Sequence, residues 1–298
     1  MTGICPLCES RGPEFQTAQA VISPWLRELA KVSRRTSKLY VCPNCQGGFF
    51  DYRYSDKEMN SIYSNYRGTS YTNLRSNWEP WYSESYNSAH NEGTFVDERK
   101  AILKDFLLSS KISEVETIVD IGGDLGQYIP TFNEKTKKYL LDLSSRELVS
   151  DVSRISSFDE LASVDLIIYA HVLEHVPLPL RELELLLGKA RYIYVEVPYG
   201  VPILSRQRRS RLFFFLTVLT SLNKRWWGRY SHPSAGRGSK TSILRQSEHI
   251  NFFNLTTVNR LAIAINAQVV SKVTTIPTPD KVQAKVLQIL FSRQPIYE

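Results

Sequence analysis

The chain has 298 residues, of which 42% are hydrophobic and 22% charged. This composition indicates a globular protein with one large domain or two smaller ones, and it excludes disordered, collagen-like and disulfide-framework classes. The formal net charge of +7 is concentrated in one segment. Val197 to Ser247 contains ten Lys and Arg and no acidic residue, so it carries +10, while the rest, with 27 basic and 30 acidic residues, carries −3.

All four cysteines lie within the first 45 residues, in two Cys-x-x-Cys pairs separated by 33 residues. They are Cys5, Cys8, Cys42 and Cys45. Two such pairs supply the four thiolates of a closed, structural zinc site. The alternative is two disulfides or a redox pair, but no βαβ pattern surrounds either pair. We therefore predict a zinc-binding module over residues 1–56.

The start of the chain has neither the basic nor the apolar region of a secretory signal, so the cytoplasm is the expected compartment. The most apolar run, Leu212 to Leu222, has 11 residues, whereas a membrane-spanning helix needs about 20. A membrane span is therefore not expected.

An aromatic-rich stretch follows the cysteines. Eight of the 16 tyrosines lie between Tyr40 and Tyr86, together with Trp78 and Trp81. Tyrosine serves equally well in packing between domains and in a lid over a substrate. We assign residues 57–110 to a helical connector or lid and leave both interpretations open.

From residue 95 onward, helical and strand patterns alternate. The predicted strands are Thr117–Ile121, Lys138–Leu143, Asp165–Ala170, Tyr192–Val197, Gln268–Val273 and Lys285–Ser292, and the predicted helices include Phe95–Leu108, Leu180–Ala190 and Thr256–Asn266. This alternation predicts an α/β domain over residues 111–298, with a largely parallel sheet covered by helices on both faces.

A glycine-rich turn, with Gly122, Gly123 and Gly126, follows the first of these strands. Ligands bind at the carboxyl ends of such strands, where glycines allow a close approach and the next helix presents its N-terminus. Asp142 ends the second strand, 22 residues after Asp120, about where a ribose-binding acid falls. A helix cap or turn residue is the alternative for Asp142.

The order of several short motifs resembles the class I S-adenosylmethionine-dependent methyltransferases. The motifs are Val119-Asp-Ile-Gly-Gly-Asp-Leu-Gly126, Leu141-Asp142 and Asp165-Leu-Ile-Ile-Tyr-Ala-His-Val-Leu-Glu-His-Val-Pro177. Tyr63-Ser-Asn-Tyr-Arg-Gly68, Glu79-Pro-Trp-Tyr82, Glu196-Val-Pro198 and Glu248-His-Ile-Asn-Phe-Phe253 are similar to the branch with an N-terminal double-CxxC zinc module. That branch includes sugar C-methyltransferases and enzymes of surface-polysaccharide pathways, such as lipopolysaccharide synthesis.

The resemblance implies a Rossmann-like fold and a cofactor site. Gly122, Gly123 and Gly126 would line the methionine part of S-adenosylmethionine, with Asp120 at the end of the first strand. Asp142 would accept hydrogen bonds from the ribose hydroxyls. His171, which follows the fourth strand, belongs to the same cofactor-binding set.

Two features depart from the family pattern. Asp124 replaces the middle glycine of the usual turn, which puts the loop path and the cofactor affinity in question. The interval from Asp142 to Asp165 is short for a helix, a strand and a helix. The third strand is therefore expected to shrink to about residues 147–152, with Asp151 a weak candidate for the adenine contact.

Methyl transfer depends on alignment, exclusion of water and a base that removes the acceptor proton, for which histidine is suited. By the resemblance, His249 and Glu248 form an acid/base pair, and His175 lies at the ligand end of the sheet. A structural role is the alternative for both histidines. Gln246 stands where some C-methyltransferases have tyrosine, which favours O-methylation. Glu196 is either an active-site carboxylate or a solvated strand end.

The basic insertion, residues 199–247, has three candidate partners, contacted mainly through residues 206–229. Its arginines would suit the diphosphate of a nucleotide sugar. Its apolar run with flanking cations would suit an anionic membrane. The phosphates of RNA could bind the same cations. The positive charge is confined to this one segment, however, which disfavours a nucleic-acid partner. A core helix with solvated basic ends is the fourth interpretation.

We therefore expect methyl transfer from S-adenosylmethionine to a nucleotide-linked sugar or a lipid-linked, growing surface glycan. Peripheral contact with the inner face of a membrane fits this expectation. An RNA methyltransferase and a non-catalytic binding protein with the same fold are the competing hypotheses.

Overall fold

The computed structural model describes residues 4–11, 15–83, 94–231, 243–277, 283–294 and 296. In these ranges the helices are α1 (Pro24–Ala30), α2 (Asp56–Tyr63), α3 (Thr69–Trp78), α4 (Thr94–Ser109), α5 (Pro179–Leu187), α6 (Arg211–Ser221), α7 (Lys224–Tyr230) and α8 (Leu255–Ala264). The first strands are β1 (Gln16–Ile22), β2 (Thr36–Val41) and β3 (Gly48–Phe50). The others are β4 (Thr117–Ile121), β5 (Lys137–Leu141), β6 (Ser153–Arg154), β7 (Val164–Ala170), β8 (Ala190–Pro198), β9 (Arg245–Gln246), β10 (Asn251–Phe252), β11 (Gln268–Ile276) and β12 (Ala284–Ser292).

The larger sheet has seven strands in the order β11-β12-β8-β7-β4-β5-β6. The strands from β8 to β6 are parallel, whereas β12 runs antiparallel to both of its neighbours. From β4 the chain continues to β5 and β6 on one side, and then crosses to β7 and β8 on the other side. The strand order therefore reverses between β4 and β7. Ligands of open α/β sheets bind in the crevice at such a reversal.

Each face of this sheet is covered by helices. On one face, α4 packs Leu103 and Phe106 against β4, β7 and β8. On the other face, Leu183 of α5 and Leu261 of α8 pack against Val119 and the apolar side chains of β7, β8 and β12. Because both faces are covered, β7 and β8 are nearly continuous apolar runs. The predicted Rossmann-like α/β fold with helices on both faces is confirmed.

Two details of this sheet differ from the prediction. The third strand is β6, Ser153–Arg154, whereas residues 147–152 form no strand. Residues 122–136, all described, contain no helix, so the expected helix after the glycine turn is wrong. Gly126 has φ +75° and Pro130 follows shortly after it; both residues oppose a continuous helix there.

The smaller sheet joins distant parts of the chain, in the order β10-β3-β2-β1-β9. β9 pairs in parallel with β1, and β10 pairs antiparallel with β3. Two strands from beyond residue 240 thus complete a sheet that the cysteine-containing segment begins. The domain boundaries at residues 56 and 110 stay predictions.

The aromatic stretch serves mainly in packing. Tyr71 and Tyr82 are buried in a cluster with Trp25 of α1, and the Trp25 and Tyr71 rings meet edge to face at 5.6 Å. Tyr66 also reaches the ligand end of the larger sheet. Packing is therefore observed for this segment, and its role as a lid stays a prediction. Among the described residues, no helix is long and apolar enough to cross a membrane.

Candidate functional site

The four cysteines lie together. The Cys5 and Cys45 sulfurs are 3.8 Å apart, as are those of Cys8 and Cys42, and all four lie within 4.8 Å of one another. Tetrahedral ligands at a Zn–S distance of about 2.3 Å are separated by about 3.8 Å, whereas disulfide sulfurs lie about 2.05 Å apart. The arrangement therefore fits a zinc ion and excludes the disulfide alternative.

The two cysteine pairs adopt the same turn. The residue after each pair, Glu9 or Gln46, has a positive φ, and its amide donates to the carbonyl of the first cysteine of its pair at 2.8 Å. The Gly47 amide also donates to the Cys45 sulfur at 3.4 Å. Two such knuckles, with the Gly47 amide aimed at a sulfur, could hold a structural metal ion with no open position.

The cysteine cluster is joined to the far end of the chain. The Thr257 hydroxyl donates to the Cys45 carbonyl at 3.0 Å, and the Asn254 side chain donates to the Gln46 carbonyl at 3.0 Å. The half-buried side chain of Arg53 donates to the Pro177 carbonyl at 2.8 Å and to the Asn251 side chain. The cysteine module therefore holds the loops that follow His175 and His249.

A cavity of about 330 Å³ opens at the carboxyl ends of β4 and β7, in the size range of small-molecule sites. Six of the predicted site residues line it: Asp120, Gly122, Gly123, His171, His175 and His249. Gly126, Asp142 and Glu248 do not line it. The cavity lies at the strand-order reversal, where the fold predicts a ligand.

The glycine turn and Asp120 form one wall of this cavity. Gly122 has φ +70°, and a Cβ at Gly123 would lie 2.0 Å from an Asp120 carboxylate oxygen. Both positions therefore require glycine. Burial, followed by repulsion from Asp142, raises the pKa of Asp120 to about 8, so this carboxyl is mostly protonated at neutral pH.

Asp142 shapes the glycine turn from outside the cavity. Its two carboxylate oxygens accept the Asp124 amide at 3.1 Å and the Ser144 amide at 2.6 Å. The turn-residue interpretation of Asp142 thus describes what it does here, and its ribose contact stays a prediction. Asp124, in place of the family glycine, has φ +59° and is paired with Arg146 at 2.7 Å.

His171 lies at the centre of the charged groups of the cavity. Its Nδ1 lies 3.3 Å from Glu174 Oε1 and its Nε2 lies 3.0 Å from Glu196 Oε1. Burial lowers the pKa of His171, but hydrogen bonds to the two glutamates outweigh burial and raise it to about 9. Glu196 is 2% exposed and also pairs with Arg99. The solvated-strand-end interpretation of Glu196 is therefore wrong.

His249 and His175 lie together at one side of the cavity, with ring centroids 4.8 Å apart in edge-to-face contact. Burial, followed by repulsion from His175, lowers the pKa of His249 to about 4. The side chain is nevertheless 41% exposed. His249 is therefore a neutral, accessible imidazole at physiological pH, which is the state a general base requires.

The carboxylate beside His249 is not its sequence neighbour. Glu248 is buried, and the Tyr71 hydroxyl and Arg75 donate to it. Glu174 instead lies 3.9 Å from His249 Nε2. Donor atoms of Glu174, His175 and His249 all lie within 4.8 Å of one another, so these three could also hold a metal ion.

Sequence reasoning missed several residues of the cavity. Arg67 and Arg99 supply cations, and Tyr66, Phe95 and Tyr128 supply aromatic surface. Tyr66 and Arg67 lie within the Tyr63–Gly68 motif of the resemblance, which is the only feature of the sequence that points to them. Asp151 pairs with Lys138 outside the cavity, and Gln246 donates to the Tyr52 carbonyl.

No protein-family model matches the chain, and no curated protein is similar to it in sequence. Similar solved structures include the plantazolicin methyltransferase BamL in complex with a triazolic desmethylPZN analog and SAH, with 13% identity, a TM-score of 0.43, and coverage of 74% of this chain and 94% of that one. The N-terminal domain of EvdMO1 in the presence of SAH and D-fucose has 14% identity and a TM-score of 0.39, covering 68% and 86%. Magnesium protoporphyrin IX methyltransferase (ChlM) from Synechocystis PCC 6803 with bound SAH has 11% identity and a TM-score of 0.38. The match covers 70% of this chain and 94% of that one. These likenesses concern the fold.

Proposed function

We propose that this protein transfers a methyl group from S-adenosylmethionine to a sugar hydroxyl. The observation that carries the proposal is one cavity that combines the glycine turn of β4 with a neutral, accessible His249. A ligand held at the turn and an acceptor placed beside the imidazole would share that cavity. Alignment of the two reactants is the main contribution an enzyme makes to such a displacement.

The lining of the cavity fits the cofactor. Gly122 and Gly123 leave backbone open to a ligand, the Asp120 carboxyl lies beside them, and Arg67 and Arg99 bring cations suited to a carboxylate. When bound, the cofactor supplies an electrophilic methyl group. Asp142, which fixes the turn through the Asp124 amide, would contact the ribose.

His249 would accept the proton of the acceptor hydroxyl as the oxygen becomes nucleophilic. Glu174, 3.9 Å from His249 Nε2, would stabilise the imidazolium that forms. The aromatic side chains of Tyr66, Phe95 and Tyr128 line the cavity and would exclude water around a sugar ring. Gln246 is buried and donates to the Tyr52 carbonyl, so the preference for O-methylation rests on the absence of the tyrosine that some C-methyltransferases have at this position.

The substrate class is tested by incubating the full chain with labelled S-adenosylmethionine and separate pools of nucleotide sugars, lipid-linked glycans and RNA. We expect label in one of the two sugar pools. Label in RNA alone would replace the proposal with an RNA methyltransferase. Absence of cofactor binding by calorimetry would leave a binding protein with this fold. Activity that requires added Mg²⁺ or Mn²⁺ after chelation would assign Glu174, His175 and His249 to a metal.

Replacement of Asp142 by alanine is expected to weaken cofactor binding at least about tenfold, because hydrogen bonds to a carboxylate contribute about 1.5–3 kcal/mol each. The variant would lose the ribose contact and the acceptor that holds the Asp124 amide. Calorimetric titration measures the dissociation constant. Asp159→Ala is the matched control, because that carboxylate is 84% exposed and pairs with Lys189. Equal affinities in the two variants would refute the assignment of Asp142.

The pH dependence of kcat/KM is expected to show an acid limb near pH 4 to 5. A base is lost when it is protonated, so activity falls as the pH drops through the pKa of His249, which lies at about 4. An imidazole with the ordinary pKa of 6.5 would lose half of the activity near that pH. The His175→Ala variant should shift the limb to higher pH, because repulsion from His175 contributes to the low pKa. A limb that stays in place would exclude His249 as its origin.

A further inference from the structure

Helix α6 presents its apolar side outward. Leu212, Phe215, Leu216, Leu219 and Leu222 lie on one face and are 37–68% exposed. The opposite face carries Phe213, Thr217, Thr220 and Ser221, which are buried. The three hydroxyls donate to carbonyls of the helix itself. This arrangement is the reverse of a helix that packs its apolar face on a core, so the core-helix interpretation of the basic insertion is wrong.

Cations border this outward face at both ends. Arg206, Arg209 and Arg211 are exposed before or at the start of α6, and Lys224, Arg225 and Arg229 are exposed in α7. Trp226, which lies between these cations in α7, is 52% exposed. Arg237 and Lys240 lie outside the described residues. At 11 residues, α6 is about 16 Å long and too short to span a bilayer. Apolar side chains flanked by cations and tryptophan are typical of a helix that lies in a membrane interface.

A second cavity lies at the end of the same face. It has a volume of about 320 Å³ and is lined by Pro24, Arg27, Glu28, Arg35, Trp78, Ser221 and Leu222. Trp78 donates to Glu28 at 3.1 Å, and the Lys224 ammonium lies 5.2 Å from the centre of the Trp78 ring. The cavity thus brings two arginines and one carboxylate next to Leu222, the last apolar residue of the outward face.

Among the residues that the structure describes, the two arginines of this cavity lack counter-ions. Within the described ranges, neither Arg27 nor Arg35 forms an ion pair, and the buried Nε of Arg27 has no hydrogen-bond partner. An unpaired buried guanidinium N–H is costly. Phosphate oxygens match the donor geometry of guanidinium groups, so an anionic phosphate would satisfy both arginines.

We propose that α6 and α7 dock on an anionic phospholipid surface and that the cavity of Arg27 and Arg35 takes a lipid phosphate. The apolar face of α6 would enter the boundary of the acyl chains while the flanking cations meet headgroups. Leu222 lines the cavity and belongs to the apolar face, so one lipid would contact both. This inference is independent of methyl transfer, because it involves no residue of the β4–β7 cavity.

The test measures co-sedimentation of the full chain with vesicles of phosphatidylcholine alone or with about a third phosphatidylglycerol. We expect binding to the anionic vesicles only, weakened by added salt. Leu212→Gln with Leu216→Gln should weaken binding more than about tenfold, because apolar area no longer leaves water. The matched control replaces Leu185 and Ile263, which are 68% and 71% exposed on other helices, and should bind as the wild type does.

The phosphate site has its own pair of variants. Arg27→Gln with Arg35→Gln should lower affinity for anionic vesicles about thirtyfold, since each basic residue near the surface contributes about 1 kcal/mol. Arg260→Gln with Arg293→Gln removes the same charge from exposed positions elsewhere and should have little effect. Equal losses in the two pairs would overturn the phosphate site.

Two further outcomes would overturn the lipid assignment. Inorganic phosphate that stabilises the wild type but not the Arg27/Arg35 variant, without any vesicle binding, would show a site for free phosphate. A dimer in sedimentation velocity that the Leu212/Leu216 variant dissociates, again without vesicle binding, would show that a second copy covers α6. Equal binding to neutral and anionic vesicles would exclude a role for the cations.

Discussion

The His249→Ala variant is expected to have a kcat about two to four orders of magnitude below that of the wild type, the usual contribution of a general base. The imidazole is neutral because burial and His175 lower its pKa, and its side chain remains accessible from the cavity. Affinity for the cofactor should change by less than about threefold, because the glycine turn and Asp142 are untouched. Single-turnover rates and calorimetric titrations measure the two quantities separately.

Chemical rescue distinguishes a base from a structural histidine. External imidazole should restore part of the single-turnover rate of His249→Ala, since the truncated side chain leaves space beside Glu174. A variant that loses activity and cofactor binding together, with no rescue, would assign His249 a role in holding its loop. Full activity in His249→Ala would remove it as the base altogether.

The strands that build the cavity were predictable because their signal is local. A strand buried on both faces is a continuous apolar run, and β4 was predicted with both of its ends correct. β7 and β12 each begin one residue before the prediction. The Gly122–Gly123 turn follows β4 directly, so its place at the sheet edge followed from the fold class. Of the six predicted residues that line the cavity, five belong to or follow β4 or β7 and lie there for this reason, whereas His249 comes from the loop before β10.

Predictions that depended on the usual succession of elements were less accurate. The expected helix after the glycine turn is absent from residues 122–136, and the third strand consists of Ser153 and Arg154 only. Both regions lie beside the departure at Asp124, which pairs with Arg146 across the turn. The backbone path in these two regions therefore follows from the residues of this chain rather than from the usual succession of helices and strands.

Contacts between distant segments could not be predicted. Arg99 is 97 residues from Glu196, and Arg53 is 198 residues from Asn251. Neither pairing leaves a periodic pattern in the sequence. The Glu248-His249 motif suggested an acid/base pair, yet Glu248 pairs with Arg75 of the aromatic connector while Glu174 lies next to His249. Tertiary packing therefore determines which carboxylate lies beside which histidine.

One connection between the smaller sheet and the cavity runs through the cysteine module. β3 follows Cys45 and pairs with β10, which begins two residues after His249. Arg53 holds the loop after His175 from the same module. Loss of order at the cysteines should therefore reach both histidines.

Replacement of Cys45 by serine is expected to abolish zinc binding, to lower Tm by at least about 10 °C and to remove activity, although Cys45 does not line the β4–β7 cavity. Structural zinc contributes about 10–16 kcal/mol to the folding of small modules, and each kcal/mol corresponds to about 2–4 °C in a chain of this size. Metal analysis, thermal unfolding and single-turnover rates measure the three effects. Ser33→Ala, an exposed change in the same module, should alter none of them.

Cobalt separates a metal site from a merely packed set of thiols. Co²⁺ added to the metal-free wild type should give the absorption of a tetrahedral tetrathiolate site, and Zn²⁺ should abolish it, because zinc binds such sites more tightly than cobalt. The sulfurs of Cys5 and Cys45, and those of Cys8 and Cys42, are 3.8 Å apart, which is the spacing this geometry requires. A Cys45→Ser protein that keeps its Tm and its activity would show that the cysteines only pack, and the histidine loops would then need no metal to stay in place.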